Sequence, residues 1–226
     1  MTVDDRGSAR LRVRAAGPSV IAALRRSVAL LIVPGALLLI VPAVLFAGDT
    51  EPARLDQWIQ PKVNAPAGLW PAVLAVDWTG GPVGRALMML LVTASCLLAG
   101  RWRLAATTVI GIGGVSVLSV GLKHVVGRRI HDDFLSYPSG HTAAATAVGL
   151  LLGLLLSDVL KLGRAVGTLL VLALALVCGT VMALSQIDLT AHYPVDTIGG
   201  FGCALMVIPA TALLIDRFTV PGGAAR

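Results

Sequence analysis

Charge is what this sequence has least of. Of its 226 residues, 13% are Asp, Glu, Lys or Arg, against about 25% in an ordinary soluble domain. Apolar residues make up 56% and the mean hydropathy is +0.86, so too little polar surface is left to cover a water-soluble globule. So apolar a chain is not intrinsically disordered. Cysteine is scarce too. Cys96, Cys178 and Cys203 are odd in number, widely spaced and each set in an apolar run, which excludes a disulfide scaffold. The 25 glycines follow no three-residue period, which excludes collagen. No glycine-rich loop followed by Lys-Ser/Thr occurs, which argues against a nucleotide-driven enzyme. The class that is left is an integral membrane protein with one compact domain.

A hydrocarbon core about 30 Å thick needs about 20 apolar residues of helix. Six stretches meet that length, at roughly 28–47, 83–100, 104–126, 141–158, 164–185 and 196–215. They predict an all-α bundle of six transmembrane helices. The first reads VALLIVPGALLLIVPAVLFA. Its Pro34 and Pro42 are tolerated in a bilayer where neighbours re-satisfy the freed backbone groups. It exceeds the roughly 7–15 residues of a signal-peptide core and no small-x-small site follows, so it reads as a retained anchor. With the N-terminus inside, 12 Lys and Arg fall on the inner side and 6 on the outer, the bias expected of cytoplasmic loops. Both termini are then cytoplasmic. The chain divides into a basic segment 1–27, a membrane domain 28–215 and a tail 216–226. The net charge of +6 reads as topology and attraction to anionic lipid. Dispersed along span ends, it gives no nucleic-acid face.

The loop at about 48–82 is the long one. Its Trp58, Trp70 and Trp78 suit an amphipathic helix at the outer interface, an anchor or a lid over a lipid entrance. Small residues crowd the third span (Gly111, Gly113, Gly114, Gly121) and the sixth (Gly199, Gly200, Gly202), where they let helices approach closely.

All four histidines lie in the second half of the chain, in two segments: KHVVGRRIHDDFLSYPSGH from Lys123 to His141, and SQIDLTAHYPVD from Ser185 to Asp196. In the topology above both emerge on the outer face. Ionisable groups at the ends of apolar spans mark a functional site. His192 and Asp196, four residues apart, read either as a nucleophile with its orienting carboxylate or as a cap on the sixth helix. They also have the spacing of two metal ligands, but three basic side chains in the cluster would repel a cation. No metal or cofactor is expected. His124 and His131 read as solvated flanks, and Asp132 and Asp133 as turned away from an anion.

These residues resemble the type 2 phosphatidic acid phosphatase superfamily, whose motifs are K-x6-R-P, P-S-G-H and S-R-x5-H-x3-D. Pro138-Ser139-Gly140-His141 matches the second completely, Ser185, His192 and Asp196 match the third at its spacing, and Lys123 opens the first. The resemblance covers about 100–215 and implies six membrane helices. By resemblance His192 is the nucleophile that takes the phosphoryl group, Asp196 its orienting partner and His141 the general acid and base. Lys123 and Arg128 bind phosphate, with Arg129 a possible third. Ser139 and Gly140 open a helix whose N-terminus favours an anion, and Ser185 and Gln186 add hydrogen bonds.

Two positions depart from the pattern. Gln186 stands where the third motif has Arg. The motif-one Arg falls at Ile130, with Arg129 one position short of it. Gln carries no charge and no bidentate fork, and losing a charge-assisted bond costs a few kcal/mol, tens- to hundreds-fold in rate. The function implied is a metal-independent phosphatase in the cell membrane, acting at the outer leaflet through a phosphohistidine. Its substrate is a lipid phosphate or pyrophosphate such as a polyprenyl pyrophosphate, phosphatidylglycerol phosphate, phosphatidic acid or a prenyl-linked sugar phosphate. A phosphoryl transferase and a weakened lipid-phosphate-binding protein are the alternatives. Beyond lipid and bilayer no partner is implied, and no feature sets an oligomeric state.

Overall fold

The computed structural model describes residues 24–131 and 134–219. The cytoplasmic placement of the two termini, and the orientation of Asp132 and Asp133, concern residues outside these.

The chain forms an all-α membrane bundle. The first span is a short α1 (Arg25–Ala29) running into α2 (Ile32–Leu45). Pro34 sits in the first turn of α2, where a missing N–H breaks no helical bond. Pro42 is interior and leaves the Leu38 carbonyl without its usual donor. The Tyr137 hydroxyl lies beside the gap, donating to the Leu39 carbonyl at 2.5 Å with the Leu38 carbonyl at 3.4 Å. The side chain beside the proline break is thus that of the residue immediately before the P-S-G-H motif.

An outer segment follows, with α3 (Arg54–Ile59), two single 3-10 turns and α4 (Trp70–Gly80). At Gly81 the chain bends by 72° into α5 (Pro82–Leu98). Gly84 permits the bend, since a Cβ there would stand 2.1 Å from the Trp78 carbonyl oxygen. The remaining spans are α6 (Trp102–Val126), α7 (Gly140–Val159), α8 (Arg164–Asp188) and α9 (Pro194–Thr219). Each begins and ends within a few residues of the hydropathy-based boundaries. Arg101 pairs with Asp158 where α5 turns into α6. Leu98, Val117 and Val125 stand largely exposed, as a lipid-facing surface requires.

The central helix is α9, packed on α2, α6 and α7, and the longest seam joins α7 to α8. With lipid outside, close packing rather than hydrophobic burial holds such seams. A Cβ on Gly202 would meet the Gly35 carbonyl oxygen at 2.6 Å, and one on Gly149 the Leu174 carbonyl oxygen at 2.4 Å. Of the small residues singled out in the third span, Gly111 abuts Ile208 while Gly113 and Gly121 face open space. Gly149 and Gly153, in the fourth, carry the tighter contact.

Gly149→Ala pushes a methyl into backbone that cannot swing away. It should lower stability by about 1–3 kcal/mol. Gly113→Ala, with no clash and a better helix propensity by about 1 kcal/mol, should hold or raise it. Thermal unfolding midpoints in detergent check both.

Candidate active site

Three connections converge at one end of the bundle. The first closes α6. Gly127 ends that helix in the left-handed conformation (φ 67°), its N–H donating to the Lys123 carbonyl. The chain then passes through Arg128 into a two-stranded hairpin, β1 (Arg129–Ile130) with β2 (Phe134–Leu135), paired Arg129 to Leu135 and Ile130 to Phe134. Successive side chains on a strand face opposite ways. Ile130 is therefore buried and Arg129 exposed. The one-residue offset of Arg129 from the motif position puts it on the exposed face of the hairpin, opposite to Ile130.

After the hairpin, Ser139 caps α7. Its hydroxyl accepts from the Thr142 N–H at 3.3 Å and from the Thr142 hydroxyl at 3.1 Å, the usual N-cap role. Its own N–H donates to the Asp196 carbonyl at 2.9 Å. Gly200 allows this approach, as a Cβ there would lie 2.6 Å from the Ser139 carbonyl oxygen. The second and third motifs are thus joined by backbone.

His192 sits between α8 and α9, its side chain 7% exposed, with Nδ1 3.7 Å from Asp196 Oδ2. Pro194 at the start of α9 suits a first helical turn and brings Asp196 back toward the ring. The same Oδ2 accepts the Tyr193 N–H at 2.9 Å. No closer group engages Nδ1 among the described residues, so the Asp196 contact, a little longer than a hydrogen bond, is its polar neighbour. Burial pushes the imidazole below the usual histidine range, against an opposing pull from Asp196. Burial thus favours the neutral ring.

Asp196 Oδ1 accepts from Arg128 Nη1 at 2.7 Å, and Arg128 Nη2 donates to Asp56 Oδ2, also at 2.7 Å. All three side chains are fully buried. The guanidinium lies between the rings of Tyr193 and Phe46, 4.7 and 5.0 Å from their centroids. Asp56 further accepts the N–H groups of Ala53 at 2.9 Å and Val195 at 2.8 Å, the first being half of a capping box. Arg128, expected among the phosphate ligands, is instead closed in by two carboxylates and two rings.

The other wall is α4. Its Asp77 lies 3.6 Å from His141 Nε2 and accepts the Gln186 side-chain N–H at 2.8 Å. Ser185 donates to the Val73 carbonyl at 2.9 Å. Both motif-three side chains thereby fasten α4 to α8. His141 packs on Gly80 so closely that a Cβ there would fall 2.5 Å from its ring. The Gly80 carbonyl accepts from Arg85 Nη2 at 2.7 Å and Nε at 3.2 Å, and Arg85 Nη1 donates to Ser116 at 3.0 Å. Lys123 Nζ donates to the Leu135 carbonyl at 2.7 Å. Lys123 lies within electrostatic reach of His141 and His192, and Arg85 of His141 and Lys123.

The structure therefore gathers His141, His192, Asp196, Lys123, Ser139 and Gly140. It leaves Arg129 on an exposed strand face and gives Arg128, Ser185 and Gln186 internal partners. His124 and His131 are exposed, and the His131 ring meets the Thr190 carbonyl. Sequence reasoning passed over Asp56, Asp77 and Arg85. Arg85 carried a signal, being a charge one turn inside an apolar span. Asp56 and Asp77 lay in the long outer loop, read as an interfacial helix, with no motif to single them out.

Arg128→Met strands two buried carboxylates and should cost about 3–5 kcal/mol. Arg129→Met, at an exposed position, should change stability by less than about 0.5 kcal/mol. Thermal unfolding of the two variants in detergent separates the roles.

The family model described as the PAP2 superfamily matches residues 102–219. The fold is similar to a crystal structure of a transmembrane PAP2-type phosphatidylglycerolphosphate phosphatase from Bacillus subtilis. The TM-score is 0.65 at 18% identity, over 86% of this chain and 98% of that one. No curated protein matches the chain.

Proposed function

The chain belongs to the PAP2 superfamily, and from that premise we propose that it is a membrane phosphatase that hydrolyses a lipid phosphate or pyrophosphate at the outer leaflet of the cell membrane. The observation that carries this reading is the meeting of two imidazole–carboxylate pairs, His192 with Asp196 and His141 with Asp77, beside Lys123. The balance of Lys and Arg supports an active site on the extracytoplasmic face with both termini inside, and a membrane domain over 28–215 between a basic leader and a short tail.

The chemistry follows from the ring environments. With Asp196 taking the Nδ1–H side, Nε2 of a neutral His192 carries the lone pair. That nitrogen attacks phosphorus as the bond to the lipid oxygen breaks, and His141 gives that oxygen its proton. Water then attacks the phosphohistidine, His141 takes a proton from it, the P–N bond breaks and phosphate leaves. Lys123 and the first-turn N–H groups of α7 stabilise the phosphoryl oxygens. Ser139 and Gly140 serve by opening that helix. Ser185 and Gln186 serve through α4, and Arg128 by holding Asp196. Asp196 acts as the orienting carboxylate of a triad.

The test uses purified protein in detergent, a panel of lipid phosphates, excess chelator and a His192→Ala variant. Phosphate release that survives chelator and vanishes in the variant supports the enzyme. Equal background from both proteins removes it.

Neutral His192 is the reactive form, and burial lowers its pKa, so the acid limb of kcat/KM that its protonation sets should lie below 6.5. An acid limb of kcat/KM at or above 6.5 would contradict the assignment.

Ile130 and Gln186 favour the second reading, a weakened lipid-phosphate binder. For this reading Gln186→Arg should accelerate a slow enzyme at least tenfold in an initial-rate assay, while an unchanged rate means that another group supplies the charge.

A further inference from the structure

We propose that Arg85, on the second membrane span and outside the family-matched region, is the guanidinium that binds the substrate's phosphoryl oxygens. The assignment rests on reading the His141–His192 cluster as a phosphate site. Such a site needs positive charge on the equatorial oxygens. The motif positions that carry arginine elsewhere in the family hold Ile130 and Gln186 here, Arg128 is enclosed by Asp56 and Asp196, and Arg129 faces outward.

Arg85 answers that deficit. Among the described residues it has no carboxylate partner within ion-pair distance, unlike Arg101 and Arg128. A half-buried guanidinium at the end of an apolar span is costly without a counter-charge and is retained for function. Its orientation is set on two sides, by the Gly80 carbonyl and by the Ser116 hydroxyl. Those contacts engage three of the five N–H groups of an arginine and leave two for an anion. The point of attachment matters, because the Gly80 that Arg85 grips is the residue on which the His141 ring packs. One guanidinium nitrogen also comes within 3.8 Å of where a Cβ on Gly140 would stand, at the N-terminus of α7. Arg85 thus approaches the acid–base histidine and the helix end together.

The surroundings match an amphiphilic substrate. A cavity of about 470 Å³ runs between α4, α5, α7 and α8, lined by apolar side chains such as Val76, Met88, Ala144, Val148 and Met182, with Arg85 the one charged residue on its wall. A phosphate held by Arg85 has a hydrocarbon-lined space beside it.

The experiment compares full-length wild type, Arg85→Gln and Arg85→Lys in detergent. Inorganic phosphate is the probe, its affinity read by 31P NMR titration, with thermal unfolding and kcat/KM on a hydrolysed lipid phosphate measured alongside. The expected result is at least a tenfold loss of phosphate affinity in Arg85→Gln and a smaller loss in Arg85→Lys, which keeps the charge and loses the fork. A residue that merely braces the α4–α5 bend would lower the unfolding midpoint and leave phosphate affinity of the folded protein unchanged. Should Arg85→Gln fail to fold, Arg85→Lys carries the test alone. Equal phosphate affinity in wild type and in the folded variants overturns the proposal, as does a wild type that binds no phosphate. A wild type that binds phosphate through Arg85 yet hydrolyses no lipid phosphate leaves the assignment standing and removes the phosphatase reading.

Discussion

A buried arginine between two buried carboxylates governs this end of the molecule. Arg128 joins Asp56 of the outer segment to Asp196 of the last helix, under the rings of Phe46 and Tyr193. Three ions taken out of water are tolerable only if nearly every lone pair and N–H finds a partner. Here Asp56 gathers two backbone N–H groups besides, and Asp196 a third. The cluster acts as a single fastening of the α6 exit, the outer segment and the start of α9. It also fixes which face of Asp196 is left for His192. One carboxylate oxygen is held by the guanidinium, and the other turns toward Nδ1. The orientation of the candidate nucleophile is therefore inherited from a buried ion cluster.

The second determinant is α4. Trp70 and Trp78 are exposed, as an interfacial helix requires, yet the helix is not a detached anchor. It is hydrogen-bonded to α8 through Ser185 and Gln186, packs on α7 and α8, and places Asp77 and Gly80 against His141. The outer segment thus contributes to both histidine pairs, Asp56 reaching one through Arg128 and Asp77 reaching the other directly. Gln186 gains a clear structural role in this arrangement. It ties down the carboxylate of α4, where the family pattern has an arginine.

What the chain displayed in linear form was the part governed by local rules. The spans were legible because a 30 Å apolar slab imposes a length on each helix, and Pro-Ser-Gly-His and the His192–Asp196 spacing because a helix start and a helical turn are short-range geometry. The different surroundings of Arg128 and Arg129 were not legible because neighbouring arginines look alike in a sequence. A two-residue strand then sends one outward, and the tight exit from α6 buries the other. Asp56 and Asp77 were missed because their partners are distant. Arg128 lies 72 residues from Asp56, and Gln186 lies 109 from Asp77. No spacing rule reaches across two or four spans.

Composition and periodicity by themselves determined a helical membrane protein, its span boundaries, and a histidine cluster at the span ends with a nucleophile–carboxylate spacing. Tertiary structure alone decided which cations face that cluster. The side chains of a bundle end meet only after the helices have packed, and the packing here depends on glycines at the crossings of α2 with α9 and of α7 with α8. In a chain so poor in charge, each ion's role was set by what the fold placed beside it: two carboxylates for Arg128, an exposed strand face for Arg129, and for Arg85, among the described residues, no carboxylate within ion-pair distance.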